Sequence, residues 1–306
     1  MMMAEPIRFI GLRGVLKRDE PLARHVTWRC GGQADLAYVP ADRDDLAAFV
    51  RCLPREEPLT VIGLGSNLLV RDGGLRGAVI LMHNPGGALA VADGLVYVDA
   101  GVASPKLARF AAAHGCAEAE FLAGVPGTVG GALAMNAGCY GGETWRHVAR
   151  VEVLRREGDF VVRTASDYAI GYRSVRLAGG ATLDGVFTAA WFRFPQGDSG
   201  AARTRIRELL AKRIATQPLN LPNAGSVFRN PAGDHAARLI ESCGLKGHAI
   251  GGARVSEKHA NFIVNPQGSA TAADVEALIG HVQRVVADRT GIALEPEVQI
   301  IGEALK

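Results

Sequence analysis

The feature that most constrains the fold is a run of 22 residues, 121–142, that contains no charged side chain. A run of that length is sufficient to cross a lipid bilayer as a helix. However, it reads FLAGVPGTVGGALAMNAGCYGG, and its seven glycines, one proline and one asparagine would break such a helix. Lipid would then leave backbone polar groups without hydrogen-bond partners. We therefore predict that the run forms buried turns of a globular protein.

Composition excludes several broad classes of protein. Hydrophobic residues make up 48% of the 306-residue chain, which is too many for a disordered protein. Glycine is enriched, at 38 residues, but without the period of collagen or a low-complexity tract. The net charge is only +3 and the basic residues are dispersed, so nucleic-acid binding has little support. The length suggests about two domains.

Cysteine and histidine spacing argues against covalent or metal cross-links. The five cysteines include no CxxC pair, and the eight histidines show no HxxH or HExxH spacing. A disulfide framework and a metal site are therefore not expected. The first twenty residues lack the apolar core of a signal peptide. We expect a cytoplasmic protein without a membrane anchor and without an obligate protein partner.

Apolar periodicity predicts short helices and strands in irregular alternation. A helix is expected at 42–53, with Leu46, Phe49, Val50 and Leu53 on one face. Ser104 is expected to cap the next helix, because proline follows it. Further helices are predicted at 204–214, at 235–243 and after a capping box at Thr271 and Asp274. A hairpin is predicted around Glu157 and Gly158. Strands are predicted at 59–62, 78–82, 95–101, 182–195, 260–265 and 294–302. This pattern favours an α+β fold over a regular βαβ array.

Two glycine-rich loops are candidates for cradling a phosphate group. The loop GLGSN, 63–67, follows an apolar strand as a dinucleotide fingerprint would, but Leu68 takes the third glycine position and no helix follows. The second loop covers 124–138, and glycines in both would let backbone N–H groups converge on a pyrophosphate from two sides. The alternative for each loop is a buried turn with close backbone packing.

The same loops carry a resemblance to a known superfamily. GLGSNLLV followed by AGVPGTVGGALAMNAGCYG resembles the flavin-binding region of the vanillyl-alcohol-oxidase-type FAD proteins. Within that superfamily the chain resembles the UDP-N-acetylenolpyruvoylglucosamine reductase family in four further places. They are PLARHVTWRCGGQAD, the Tyr-Arg-Ser at 172–174, NAGSVFRNP at 223–231, and GLKGHAIGGARVSEKHANFIVN together with LEPEVQIIG. The matches follow in order from about residue 21 to residue 302.

The resemblance implies an α+β fold with a two-part FAD-binding region of vanillyl-alcohol-oxidase type and a C-terminal α+β substrate-binding domain. The small, polar segment GDSGAA marks the main boundary. We expect the FAD-binding region at 1–195, as subdomains of about 1–68 and 69–195, and the substrate-binding domain at 196–306, with its last strand a candidate for returning to the FAD-binding region. Ser226 lies only 53 positions after Arg173. This spacing resembles the shorter class of the family, which lacks a tyrosine-bearing loop over the substrate.

The implied activity is a reduction with two cofactors, FAD and NADPH. UDP-N-acetylglucosamine enolpyruvate would be reduced to UDP-N-acetylmuramate in peptidoglycan precursor synthesis, so the expected partner is a small UDP-sugar. Two alternatives stay open. One is an FAD-dependent oxidase of a small alcohol or hydroxy acid, which would consume oxygen without NADPH. The other is a flavin-binding module that has lost catalysis.

The resemblance assigns three catalytic roles. Arg173 would hold the substrate carboxylate and stabilise the developing enolate, although many arginines are simply exposed. Ser226 would donate the proton, although a serine after Ala-Gly is also typical of a turn. Glu297 would steady the enolate, and the resemblance selects it over the neighbouring Glu295. The alternative is that Glu297 is only an exposed carboxylate on an edge strand.

The remaining predicted site residues contact cofactor or substrate. The cofactor-binding residues implied by the resemblance are Gly63, Gly65, Ser66, Asn67, Val125, Pro126, Gly127, Thr128, Gly130, Gly131, Asn136, Ala137 and Gly138. The substrate-binding residues implied are Tyr172, Asn230, Lys258 and His259.

Overall fold

A computed structural model describes residues 9–305. Residues 1–8, on which the signal-peptide expectation partly depends, lie outside the described residues. The chain forms two compact units. The first contains the described residues up to Arg18 with Leu36–Gly63 and Gly77–Ile206, and the second contains Asp19–Asp35, Leu64–Arg76 and the described residues from Arg207 onward. The predicted boundary after residue 195 between two binding regions stays a prediction.

Helices and strands alternate along the described chain. The helices are α1 (Arg43–Cys52), α2 (Ser104–Ala113), α3 (Val129–Met135), α4 (Ser199–Thr216), α5 (Ala236–Ser242) and α6 (Ala272–Thr290). The strands are β1 (Val15–Pro21), β2 (Gln33–Val39), β3 (Leu59–Ile62), β4 (Leu68–Val70), β5 (Leu75–Leu81), β6 (Leu89–Ala92), β7 (Leu95–Asp99), β8 (Gly138–Cys139), β9 (Gly142–Glu143), β10 (Val148–Arg155), β11 (Phe160–Arg163), β12 (Tyr168–Gly171), β13 (Ser174–Leu177), β14 (Gly185–Phe192), β15 (Ala249–Ile250), β16 (Ala253–Val255), β17 (Ile263–Val264) and β18 (Gln299–Ile301).

The first unit is built on an antiparallel sheet of order β11-β10-β14-β7-β6. A second sheet has the order β1-β2-β5-β3, in which β3 and β5 are parallel. Helix α1 buries the predicted face, since Leu46, Phe49, Val50 and Leu53 all belong to one hydrophobic cluster with Tyr38. Each such side chain stabilises the fold by roughly 1.5–3 kcal/mol when fully buried.

The second unit packs α5 and α6 with the antiparallel sheet β15-β16-β17 around one hydrophobic cluster. The predicted capping box is confirmed, because Thr271 and Asp274 bond each other's backbone N–H groups at the start of α6. The last strand, β18, pairs in parallel with β4, which follows the GLGSN loop directly. A long-range pairing of two three-residue strands therefore brings the C-terminal segment beside that loop.

Three sequence predictions need correction. Ser104 is the first residue of α2 and not its cap, because the extended cap conformation falls at Ala103. The N–H of Ser104 donates to the Gly127 carbonyl at 2.9 Å. Helix α4 starts at Ser199, because the Asp198 carboxylate accepts from the N–H of Ala201. The uncharged run holds a 3-10 turn and α3 besides its turns.

Among the described residues, no helix combines the length and the apolar character needed to cross a membrane.

His147 gives the first unit a sensitivity to acid. Its ring is 6% exposed among Phe121 and Phe194, and this burial lowers the pKa of His147 despite Glu118 at 3.8 Å. The unfolded chain therefore takes up a proton near the ordinary pKa of 6.5, and the folded chain takes it up only at lower pH. The free energy of unfolding is expected to fall as the pH drops below about 6.5.

The check is urea unfolding at neutral and mildly acidic pH. His147→Phe keeps an aromatic ring in the pocket. Between the two pH values, its free energy of unfolding is expected to fall less than that of the wild type. His259 and His281 also have lowered pKa values, so the decrease is reduced and not abolished. Identical decreases in the wild type and the variant would contradict this account.

Candidate active site

Gly65 lies where two backbone segments of the second unit meet. Its φ angle is +60°, and a Cβ atom there would lie 2.2 Å from the carbonyl oxygen of His25. Its own carbonyl accepts from the N–H and the hydroxyl of Thr27 at 3.3 and 3.4 Å. Glycine is therefore required at this position by packing against the chain itself. This matches the buried-turn alternative for the loop.

The rest of the loop nevertheless fits a phosphate ligand. None of the backbone N–H groups of residues 64–67 donates a hydrogen bond to another residue in the described part of the chain. Consecutive backbone donors of this kind are what an anion such as a pyrophosphate requires. The turn is thus fixed by Gly65 while its donors are available for FAD.

Gly65→Ala is expected to lower the free energy of unfolding by about 2–5 kcal/mol, since a clash adds to the cost of a positive φ. Gly244→Ala is the matched control, because Gly244 has φ +66° but nothing within 4 Å of its Cβ position. That control is expected to lose only about 1 kcal/mol. Chemical denaturation of both variants measures the difference, and equal losses would show that the approach to His25 is unimportant.

The second predicted loop belongs to the first unit and begins at α3. Thr128 caps α3, and a Cβ on Gly63 would lie 2.4 Å from its hydroxyl oxygen. The N–H groups of Val129 and Gly130 donate to the carbonyls of Val102 and Ala100, both at 2.8 Å. Most backbone N–H groups in the first turn of α3 therefore already donate to acceptors within the protein. The N–H groups of Gly127 and Thr128 have no acceptor in the described residues and stay available to a phosphate.

Asn136 holds the end of this loop in place. It adopts φ +43° as the C-cap of α3 and is 2% exposed. Its amide nitrogen donates to the Gly171 carbonyl at 3.1 Å and to the carboxylate of Glu143 at 3.1 Å. Its amide oxygen accepts from the N–H of Trp145. Asn136 thus links the loop to the hairpin that carries Tyr172 and Arg173.

Arg173 lies in the two-residue turn between β12 and β13. Its φ angle is +51°, a strained conformation for a residue with a side chain. The guanidinium donates to the Gly138 carbonyl at 2.7 Å and to the Asn136 carbonyl at 3.5 Å, and lies 5.3 Å from the ring centre of Tyr172. The structure therefore brings the predicted catalytic arginine onto the predicted cofactor loop. Tyr172 beside it is half exposed.

Ser226 and Glu297 lie on neighbouring segments of the second unit. The carbonyl of Val227 accepts from the N–H of Glu297 at 2.7 Å, and Arg229 donates from its N–H to the Glu295 carbonyl at 2.9 Å. Ser226 is partly buried and follows Gly225, whose φ is +75°. The structure thus joins two of the three predicted catalytic residues through one backbone ladder.

Asn67 joins the GLGSN loop to the same ladder. Its amide donates to the Glu297 carbonyl at 3.2 Å, and its carbonyl accepts from the N–H of Gln299 at 2.9 Å. Glu297 is partly buried and precedes β18, while its neighbour Val298 is 4% exposed. Glu295 is exposed, and the choice of Glu297 over Glu295 stays a prediction.

The other predicted substrate contacts also have partners within the protein. The Asn230 amide oxygen accepts from the N–H of Ala236 at the start of α5, and the Lys258 ammonium donates to the Ile214 carbonyl at 2.5 Å. His259 accepts at Nδ1 from the N–H of Asn261, and burial lowers the pKa of His259. Their contacts with substrate stay a prediction. Asn261 was not among the predicted site residues, because its only sequence signal is a polar residue in an apolar stretch.

Comparison with known proteins identifies the family. One family model, described as an FAD binding domain, matches residues 34–164. Another, described as the C-terminal domain of UDP-N-acetylenolpyruvoylglucosamine reductase, matches residues 217–301. Together they confirm the predicted fold class and the predicted FAD cofactor.

Relatives extend the match over nearly the whole chain. The UDP-N-acetylenolpyruvoylglucosamine reductase of Thiobacillus denitrificans is 56% identical over 306 residues, covering 95% of this chain and 94% of the relative. That of Nitrosospira multiformis is 53% identical over 315 residues, covering 96% and 90%. The crystal structure of the Thermus caldophilus reductase is 34% identical, with a TM-score of 0.76 over 94% of this chain and 99% of that one. This chain therefore belongs to the UDP-N-acetylenolpyruvoylglucosamine reductase family.

Proposed function

We propose that the protein is an FAD-dependent oxidoreductase that reduces UDP-N-acetylglucosamine enolpyruvate to UDP-N-acetylmuramate with NADPH, in peptidoglycan precursor synthesis. The main support is that the sequence is more than 50% identical to two such reductases across at least 95% of the chain. We place the reaction in the cytoplasm, because cysteines without a pairing motif suit a reducing compartment.

The hydride chemistry is supplied by FAD once it is bound, with NADPH as the hydride source and the vinyl carbon of the substrate as the acceptor. The chain holds the cofactor through backbone donors. Each unit supports this assignment separately, the second through residues 64–67 and the first through Gly127 and Thr128. The glycine-rich turns keep side chains away from these donors.

Arg173 binds the substrate carboxylate. As hydride adds to the vinyl carbon, negative charge spreads from the adjacent carbon into that carboxylate, and a planar guanidinium stabilises the charge through paired hydrogen bonds. The contacts of Arg173 with the carbonyls of Gly138 and Asn136 support this role, because they hold the guanidinium in one orientation beforehand. A strained turn residue at this position also suits a functional role.

Ser226 donates the proton that completes the reduction. Its Oγ–H bond breaks, a C–H bond forms at the carbon that carried the negative charge, and water returns a proton to the serine. The carboxylic acid form of Glu297 donates a hydrogen bond to the enolate oxygen and so steadies the charge while the proton arrives. The short link between the Val227 carbonyl and the Glu297 N–H supports a joint role, because it fixes the two segments against each other.

Steady-state assays distinguish this function from its alternatives. Without oxygen, the FAD-loaded protein is expected to oxidise more than one equivalent of NADPH per flavin only when the enolpyruvyl substrate is present. The product is expected to gain two hydrogen atoms by mass spectrometry. Oxygen consumption with a hydroxy acid, in the absence of NADPH, would favour an oxidase. A yellow protein inactive in both assays would be a non-catalytic flavin-binding module.

A further inference from the structure

We propose that Asn261 is a positioning residue for proton delivery, because its amide fixes the peptide backbone that carries Ser226. The inference depends on the proposed function, since it assigns a role within the same reaction. Asn261 is 3% exposed, and its buried amide is held by hydrogen bonds to the main chain.

The amide of Asn261 pairs with both polar groups of one residue. Its Oδ1 atom accepts from the N–H of Phe228 at 2.9 Å, and its Nδ2 group donates to the Phe228 carbonyl at 2.8 Å. The backbone carbonyl of Asn261 also accepts from the N–H of Val227 at 2.9 Å. Three hydrogen bonds from one residue therefore define the path of the chain just after Ser226.

On its other side, the segment that follows Ser226 contacts Glu297, the predicted enolate-binding residue. The Val227 carbonyl accepts from the N–H of Glu297, and Phe228 forms a β-bridge with Pro296. Residues 227–229 thus lie between Asn261 and the strand-like segment 295–298. A shift of this segment would move Ser226 and Glu297 relative to each other. Proton transfer depends on such placement to within about 1 Å, and an error of that size costs on the order of 10²-fold in rate.

Asn265 provides a matched control in the same unit. It is fully buried, its Nδ2 group donates to the Trp28 carbonyl at 2.9 Å, and its Oδ1 atom accepts from the N–H of Ala270 at 3.0 Å. It therefore resembles Asn261 in burial and in hydrogen bonding to the main chain. Unlike Asn261, it has no bond to residues 226–229.

The experiment separates the two half-reactions of the FAD-loaded full chain under anaerobic conditions. For Asn261→Ala, the rate of flavin bleaching by NADPH is expected to stay within about threefold of the wild type, and recovery of the colour with the enolpyruvyl substrate is expected to slow by roughly 10–100-fold. The solvent deuterium isotope effect on recovery is expected to rise, with the dissociation constant of the substrate unchanged. Asn265→Ala is expected to lose comparable thermal stability without this selectivity.

Each outcome decides the proposal. Asn261→Asp keeps the acceptor for the Phe228 N–H, and serves if the alanine variant does not fold. Equal slowing of both half-reactions, or an unchanged isotope effect, would overturn the positioning role. If the wild type itself fails to recover colour with substrate, the proposed function fails and the inference falls with it. If the wild type recovers and Asn261 variants recover at the same rate, only the inference fails.

Discussion

Replacing Ser226 with alanine is expected to slow oxidation of the reduced enzyme by its enolpyruvyl substrate by roughly 10²–10⁴-fold, the usual contribution of a general acid. Reduction by NADPH is expected to survive, because that step needs no proton at the substrate carbon. The variant lacks only a hydroxyl, and the turn is set by Gly225 and by the backbone bonds of Val227. Rapid-mixing absorbance spectroscopy of the bound flavin measures both steps.

Ser242 supplies the control for this experiment. It is a serine of the same unit near the end of α5, and its hydroxyl donates to the Leu239 carbonyl at 2.9 Å. Ser242→Ala is expected to leave both half-reactions at wild-type rates. A Ser226→Ala enzyme with both steps slowed equally would instead point to a structural defect and remove Ser226 from the mechanism.

Replacing Arg173 with glutamine is expected to lower the rate of substrate reduction by roughly 10²–10³-fold, the usual effect of removing one electrostatic donor at a developing negative charge. Glutamine keeps some polarity but loses the positive charge and the paired donors. Lysine is expected to recover little, because a point charge does not reproduce the planar fork. The measurement is kcat with the UDP-sugar substrate.

Arg176 is the control from the same hairpin. It is exposed on β13 and bonds only weakly to the Gly180 carbonyl, at 3.4 Å. Arg176→Gln is expected to keep wild-type kcat. Arg173→Gly would relieve the strained φ angle while removing the guanidinium, so its stability is expected to change by about 1 kcal/mol or less. A large stability loss in that variant, with activity lost only in proportion, would mean that Arg173 serves the fold.

Helix features that depend on residues close together in sequence were predicted correctly. The buried face of α1 and the capping box of α6 follow from residues three and four positions apart, and both are confirmed. Ser104 is not the cap, because the extended cap conformation falls one residue earlier, at Ala103, which forms a β-bridge with the distant Thr128. The start of α4 was placed too late because Asp198 was taken as part of a polar linker.

In the candidate site too, local motifs were readable from the sequence but long-range contacts were not. Motifs predicted Arg173, Ser226 and Glu297 as catalytic residues, but their spacing could not show which backbone segments hold them. The pairing of Val227 with Glu297 joins residues 70 positions apart, and that of Asn67 with Glu297 joins residues 230 positions apart. Gly65 was predicted to contact the cofactor, which stays a prediction, and the sequence did not show that its close approach to the His25 carbonyl also requires a glycine. Contacts of this kind depend on tertiary structure, so a single sequence does not display them.

The most direct test of the central claim is a single anaerobic turnover. The yellow FAD-loaded protein is first bleached with one equivalent of NADPH, and UDP-N-acetylglucosamine enolpyruvate is then added. Rapid return of the flavin absorbance, with formation of UDP-N-acetylmuramate, is the predicted result. A flavin that stays bleached after the substrate is added would contradict the account.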